Sequence, residues 1–203
     1  MKNYISLNGK KIELTTEQVV QMQKSLGIGN VKLQSISVGD TFKIGEHEFI
    51  VLEHSKDTTA VILKNLLNKN KEFGASNNYK DSYIDDICKK FGNDISDVIG
   101  EENLIKHTVD LTSDDGLKDY GSVKRKMSIL TANLYRRYVE TLDKYKVDSW
   151  WWTATAYSTL THGHSVLVKS VSPSGNICIN SCDYFSGVRP FCILNSNIFV
   201  SKI

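Results

Sequence analysis

Between Tyr157 and Gly187 the chain has no Glu, Gln, Met or Trp, and apart from histidine its only charged side chains there are Lys169 and Asp183. A catalytic centre concentrates ionisable groups with displaced pKa values, so this scarcity argues against an active site in that window. Long apolar runs are missing too. None reaches the roughly 20 residues of a membrane-spanning helix, and the N-terminus lacks the apolar core of a secretory signal. Membrane insertion and secretion are therefore not expected, and the chain is expected to be made in the cytoplasm. Charge of one sign is also lacking: 25 Lys and Arg against 23 Asp and Glu leave +2, which indicates no polyanionic partner. The run Lys124-Arg125-Lys126 and the pair Arg136-Arg137 read as the solvated face of a helix. A nucleic-acid surface would be wider. The four cysteines, Cys88, Cys178, Cys182 and Cys192, are expected to be free thiols, not a disulfide framework. Internal repeats and low-complexity tracts are absent.

What is present fits one core plus a small appendage, which 203 residues can bury. Residues 1–35 read as the appendage. Asn8-Gly9 between Tyr4–Leu7 and Lys11–Leu14 signals a two-residue hairpin. Thr15 or Thr16 then caps a helix carrying Val19, Val20, Met22 and Leu26, closed by Gly27. Too small to be stable alone, this unit must pack on the main domain or act as a homo-oligomerisation handle. The main domain is expected over residues 36–203. Thr41–Ile44, Glu48–Glu53 and Thr58–Leu63 read as a meander of strands. Leu66–Phe73 is a connection and Asn77-Asn78 a turn. Ser82–Phe91 has a helical period stopped by Gly92, with a separate helical turn at Asp94–Ile99. His107–Leu111 is extended, and Asp114-Asp115-Gly116 turns. Ser128–Asp143 is the longest helical pattern, with Leu130, Leu134, Tyr138 and Leu142 on one face. After Trp150 come strands at Ser165–Ser172, Ile177–Ser181 and Arg189–Leu194, a turn at Pro173–Asn176, and a last edge strand at Ile198–Val200. Strands, then helices, then strands make the fold class α+β.

Two anchors flank the quiet window: Trp150-Trp151-Trp152 before it and Gly187-Val188-Arg189-Pro190 after it. Together with Gly39-Asp40-Thr41-Phe42, Phe49-Ile50-Val51-Leu52, Asn77-Asn78-Tyr79 with Ser82, and Leu130-Thr131 with Tyr135, they resemble a family of small uncharacterised proteins of Gram-positive gut bacteria and their phages. The resemblance covers roughly residues 36–200. It departs from the family after the tryptophans, where Thr153-Ala154-Thr155-Ala156 stands in place of Leu-Arg-Ser-Pro. The family is distantly similar to the C-type-lectin-like fold shared with formylglycine-generating enzymes. The resemblance implies two main helices, a small twisted antiparallel sheet and late loops that form a ligand face. Trp151 and Trp152 would be anchors on opposite faces of an extended segment, one buried and one partly exposed. Arg189 would hold backbone carbonyls or a carboxylate from inside the fold.

The window itself is rich in adaptable hydrogen-bonders and aromatics, the residue types of a paratope. Tyr157, Ser158, Thr159, His162, His164, Asn176, Asn180, Ser181, Asp183, Tyr184 and Phe185 are the candidate contact residues. The reading is a non-enzymatic protein of phage or prophage origin that binds a protein or cell-surface ligand through residues 153–187. It needs no cofactor and is virion-associated or intracellular. In diversity-generating retroelements, C-type-lectin-like proteins have loop codons of the Asn type rewritten at adenines. Such codons yield Tyr, Ser, Thr, His, Cys, Asp, Gly, Ile, Val, Leu or Phe but not Lys, Glu, Gln, Met or Trp by changes at the first two bases. The window keeps nearly to that set, Cys178 and Cys182 included and Lys169 excepted. Two other readings compete. One is a phage inhibitor of a host defence protein. The other is an enzyme using the paired cysteines, or a zinc site built from His162, His164, Cys178 and Cys182, whose spacings match no tight zinc pattern. Calcium-dependent sugar binding needs several carboxylates, and the late segment offers only Asp183.

Overall fold

The computed structural model describes residues 3–7, 10–15, 17, 18, 21 and 30–202. Along the chain run β1 (Asn3–Leu7), β2 (Lys10–Leu14), β3 (Asn30–Lys32), β4 (Thr41–Ile44), β5 (His47–His54), β6 (Thr58–Leu63), β7 (Asn68–Lys71), α1 (Tyr83–Ile99), β8 (Leu104–Ile105), β9 (His107–Asp110), β10 (Ser122–Arg125), β11 (Met127–Ile129), α2 (Ala132–Leu142), β12 (Trp151–Ala156), β13 (Leu167–Val171), β14 (Ile177–Ser181), β15 (Ser186–Val188), β16 (Pro190–Asn195) and β17 (Phe199–Lys202). The class is α+β. Every strand pairing among the described residues is antiparallel except β12 with β15.

The main sheet runs β11-β16-β6-β5-β4-β17-β3, with β8 also on β16. Its central strand explains the layering. In β5 the residues Phe49, Ile50, Val51 and Leu52 are all buried, so both faces of the pleat are covered. Phe49 and Val51 join the core made with Ile84, Cys88, Phe91 and Ile95 of α1. Ile50 and Leu52 join the core made with Tyr135, Tyr138 and Leu142 of α2. The second sheet, β14-β13-β12-β15-β7, feeds both cores. Trp152 faces the α1 side and Trp151 the α2 side.

Several elements differ from the sequence reading, each for a local reason. α1 runs through Gly92, because that glycine lies against β11: an added Cβ would sit 3.0 Å from the Met127 Cβ. The helix stops at Gly100 instead, where φ is +88°. Its N-cap is Ser82, whose Oγ accepts from Asp85 N at 3.0 Å. α2 starts at Ala132, behind the Thr131 cap. Ser128 and Ile129, assigned to the helical pattern by periodicity, are spent in β11 against β16. Lys124 and Arg125 lie in β10, not on a helix. Arg125 forks onto the buried Asp85 carboxylate at 2.7 Å through both Nε and Nη2. Leu66–Phe73 contains β7. β17 is no edge, because β4 and β3 flank it. The main sheet also begins earlier than Ile36: β3 pairs with β17, and Leu33 is fully buried.

In the N-terminal unit β1 and β2 pair with Leu7 opposite Lys10. Thr15 and Gln18 form a reciprocal cap, with Gln18 N donating to Thr15 Oγ1 and Thr15 N to Gln18 Oε1. The Asn8-Gly9 turn and Val19, Val20, Met22, Leu26 and Gly27 lie outside the described residues. No helix among the described residues is long and apolar enough to cross a membrane.

Candidate ligand-binding rim

The platform is set by the two flanking anchors. Trp151 and Trp152 are both buried, at 2% and 0% exposure; the expected partly exposed ring belongs to Trp150 instead. Their strand occupies the middle of the second sheet, where both faces are covered. Trp152 Nε1 donates to Lys71 O at 2.8 Å, which satisfies its polar edge. Gly187 lies beside Trp151 in the parallel pairing and donates its N–H to Trp150 O at 2.6 Å. Arg189, 1% exposed, donates to the carbonyls of Leu63 (3.0 Å), Lys64 (2.8 Å) and Tyr145 (3.0 Å). Its guanidinium also rests 5.5 Å from the Trp151 ring centroid. Burial lowers its pKa to about 10, so it stays charged at neutral pH. One side chain thus pins the end of β6 and the segment before β12 to β16.

Above this platform three connections meet: residues 111–121, 157–166 and 182–185. Asn77, fully buried, is the hub. Its Nδ2 donates to the carbonyls of Ser158, His164 and Leu167 at 2.9–3.1 Å, and its Oδ1 accepts from Tyr120 Oη at 2.6 Å. Its backbone N–H donates to Ser165 O. The Asp115 carboxylate accepts from Ser113 Oγ (2.5 Å) and Ser158 Oγ (2.6 Å), and its Oδ2 lies 3.0 Å from His162 Nδ1. These bonds, those of Ser113 and Ser158 foremost, hold its pKa far below the ordinary aspartate value. Asp119 accepts from Thr159 and Thr161, both at 2.5 Å, and its pKa is likewise lowered. Asp114 is held between Arg136 of α2 and the nearly buried Lys169, each at 3.1 Å. Burial alone would raise its pKa, but those two cations bring it below the usual value. Tyr157 packs edge-on against His164, with ring centroids 5.6 Å apart, and Lys169 Nζ sits 6.0 Å from the Tyr157 centroid.

The expected contact residues divide into four groups. His162, His164, Asp183, Tyr184 and Phe185 are exposed, and Tyr157 is half-buried among them. Ser158 and Thr159 are corrected: at 1% and 0% exposure they are inward buttresses whose hydroxyls are committed to Asp115 and Asp119. Asn180 and Ser181 are half-buried on β14, and Asn180 Nδ2 donates to Ser170 Oγ at 2.9 Å. Asn176 is exposed but sits in the turn at the far end of β14. At about 3.3 Å per residue that is well over 10 Å from the 182–185 turn. The sequence reading took Asn77 only as a turn residue, and Asp114 and Asp115 only as part of an earlier turn. The signals were present as a turn-forming Asn pair and an Asp-Asp-Gly turn, but a carboxylate's partner some 40 residues away leaves no local pattern.

The arrangement limits its own chemistry. Ser158 Oγ donates its hydrogen bond to the weakly basic Asp115 carboxylate, not to a histidine, an arrangement that does not activate the hydroxyl as a nucleophile. The Asp115 carboxylate is saturated and of low basicity, which makes it a poor general base. Cys178 and Cys182 lie four residues apart along extended chain, roughly 13 Å, beyond disulfide reach. Burial, the largest cause, raises the Cys182 pKa, opposite to what a reactive thiolate needs. Among the described residues no three His, Cys, Asp or Glu side chains converge as a metal site, and His162, His164, Cys178 and Cys182 do not form one. Comparison with protein-family models, with curated proteins and with solved structures finds no match to this chain.

Proposed function

We propose that this protein is a non-enzymatic binder with a C-type-lectin-like domain, of phage or prophage origin. It holds a protein or cell-surface ligand against the rim of residues 160–166 and 183–185. Two helices, antiparallel sheets and exposed late loops agree with that architecture, although the eight-stranded main sheet is larger than the small sheet the resemblance implies. One observation carries the reading. The three most exposed large apolar side chains among the described residues are Leu160 (73%), Tyr184 (64%) and Phe185 (62%). All three fall in the quiet window: Leu160 stands between Thr159 and Thr161, whose hydroxyls are committed to Asp119, and Tyr184 and Phe185 follow the buried Cys182. Apolar side chains left in water over a rigid, hydrogen-bond-saturated base are what a contact surface needs. Tyr184 and Phe185 would be the low-entropy anchors, and His162, His164 and Asp183 the polar rim.

The same geometry sharpens the diversification reading. Ser158, Thr159 and Cys182 are buried, so rewriting them would damage the frame. If the loops are diversified, adenine-bearing template codons in neighbouring DNA should mark His162, His164, Asp183 and Tyr184, and should spare Ser158 and Thr159. The direct test is photo-crosslinking in the producing cells, with a photoreactive phenylalanine placed at Tyr184 and, separately, at Val98, which is 60% exposed on α1. A discrete crosslinked species from position 184 and none from 98 supports the rim. Equal or absent crosslinking at the two positions contradicts it.

A further inference from the structure

β14 is the outer strand of the second sheet, and among the described residues no strand pairs along its free side. Its hydrogen-bonding phase follows from the bonds that frame it. Ser172 N donates to Asn176 O, and Cys182 N donates to Val166 O, while the register places Val168 opposite Asn180 and Ser170 opposite Cys178. The even-numbered residues of β14 therefore exchange bonds with β13. The N–H and C=O groups of Ile177, Ile179 and Ser181 point outward; of these, the Ser181 carbonyl also accepts from Tyr184 N.

An open edge of this kind is normally protected by charge, brevity or a bulge. The other ends of the two large sheets follow that rule. β7 carries Lys69 and Lys71, β3 is three residues long and includes Lys32, and β11 is also three residues long. β14 has five residues, Ile-Cys-Ile-Asn-Ser, with no charge and no proline, and Ile179 is 42% exposed. It is the one unprotected end of the large sheets among the described residues.

We propose that β14 is a dimerisation edge, pairing antiparallel with β14 of a second copy of this chain about a two-fold axis at Ile179. The pairing is self-complementary. Ile179 exchanges both main-chain bonds with Ile179 of the other copy, and Ile177 does so with Ser181 in each direction. The two Ile179 side chains meet on one face, and no like charges come opposite each other. A two-fold closes the edge in one step and leaves no further strand to extend the sheet. A five-residue ladder is a small interface, so the dimer forms reversibly with concentration. The inference goes beyond the rim reading and does not depend on it. If both hold, the dimer carries two rims and binds a multivalent surface with avidity.

Sedimentation velocity over a wide concentration series tests it with three proteins. The unmodified chain should pass from monomer to dimer. Ile179→Lys, which faces two ammonium groups across the axis, should weaken association at least tenfold with its melting temperature unchanged. Ile179→Cys should give a disulfide-linked dimer under mild oxidation, because hydrogen-bonded antiparallel partners lie about 5.5 Å apart between Cα atoms. A chain that stays monomeric at the highest concentration overturns the proposal. So does a dimer untouched by Ile179→Lys, which would assign association to another surface such as the β1–β2 hairpin. Serine substitutions at Leu160, Tyr184 and Phe185 should leave the dimer intact, which separates failure of this inference from failure of the rim.

Discussion

Single side chains do much of the fixing here, and they do it through polar groups with nowhere else to go. Arg189 serves three carbonyls, and Asn77 serves three carbonyls and a phenol. Removing either leaves buried acceptors unpaired, the costly half of a hydrogen bond. His107 acts in the opposite sense. It packs edge-on against Phe191, with Nε2 2.8 Å from Ser128 Oγ, and burial lowers its pKa from 6.5 to about 4. Between those values the unfolded chain binds the proton and the folded chain does not. Stability from this group is therefore complete above pH 6.5 and declines as the pH falls towards 4, by up to about 3 kcal/mol. Denaturant titrations from pH 7 to pH 4 should show that decline, and His107→Gln should flatten it. An unchanged slope in the variant would place the acid sensitivity elsewhere.

At the level of elements, alternation and turn chemistry made most of the strands legible. Thr41–Ile44 and Thr58–Leu63 match the observed β4 and β6, and Ile177–Ser181 matches β14. The helices were read less well. Gly92 looked like a stop because glycine usually is one, yet here it gives β11 its close approach to α1, a contact that only the folded chain creates. Ser128 and Ile129 continued a helical period by coincidence, and sheet pairing overrode it. Gly187 is a second tertiary glycine. A Cβ there would lie 2.5 Å from the Leu66 side chain and 3.0 Å from Trp150 O. Gly187→Ala should therefore destabilise by about 1–3 kcal/mol through strain at the β12–β15 pairing. A Gly187→Ala/Leu66→Ala double variant should recover part of that loss in equilibrium unfolding, because the side-chain clash is removed and the carbonyl contact remains. No recovery would mean that the backbone contact accounts for the whole cost.

Across the whole molecule, the separation between frame and rim is what the sequence only half revealed. Its composition marked the window 157–187 as chemically quiet, but composition cannot say which residues point inward. Ser158 and Thr159 looked identical to rim residues until Asp115 and Asp119 arrived from another part of the chain to bind them. The rim and the frame should therefore respond differently to substitution. The most direct measurement is thermal unfolding, with crosslinking to the partner from a photoreactive phenylalanine at the exposed Val166, of Leu160→Ser/Tyr184→Ser/Phe185→Ser set beside Ser158→Ala/Thr159→Val. A rim that makes contacts but carries no fold predicts that the triple variant keeps its melting temperature within about 2 °C and loses its partner. The buttress variant should instead fall by several degrees, at roughly 2–4 °C per kcal/mol for a chain of this size. A triple variant that unfolds early, or one that keeps its partner, would contradict the account.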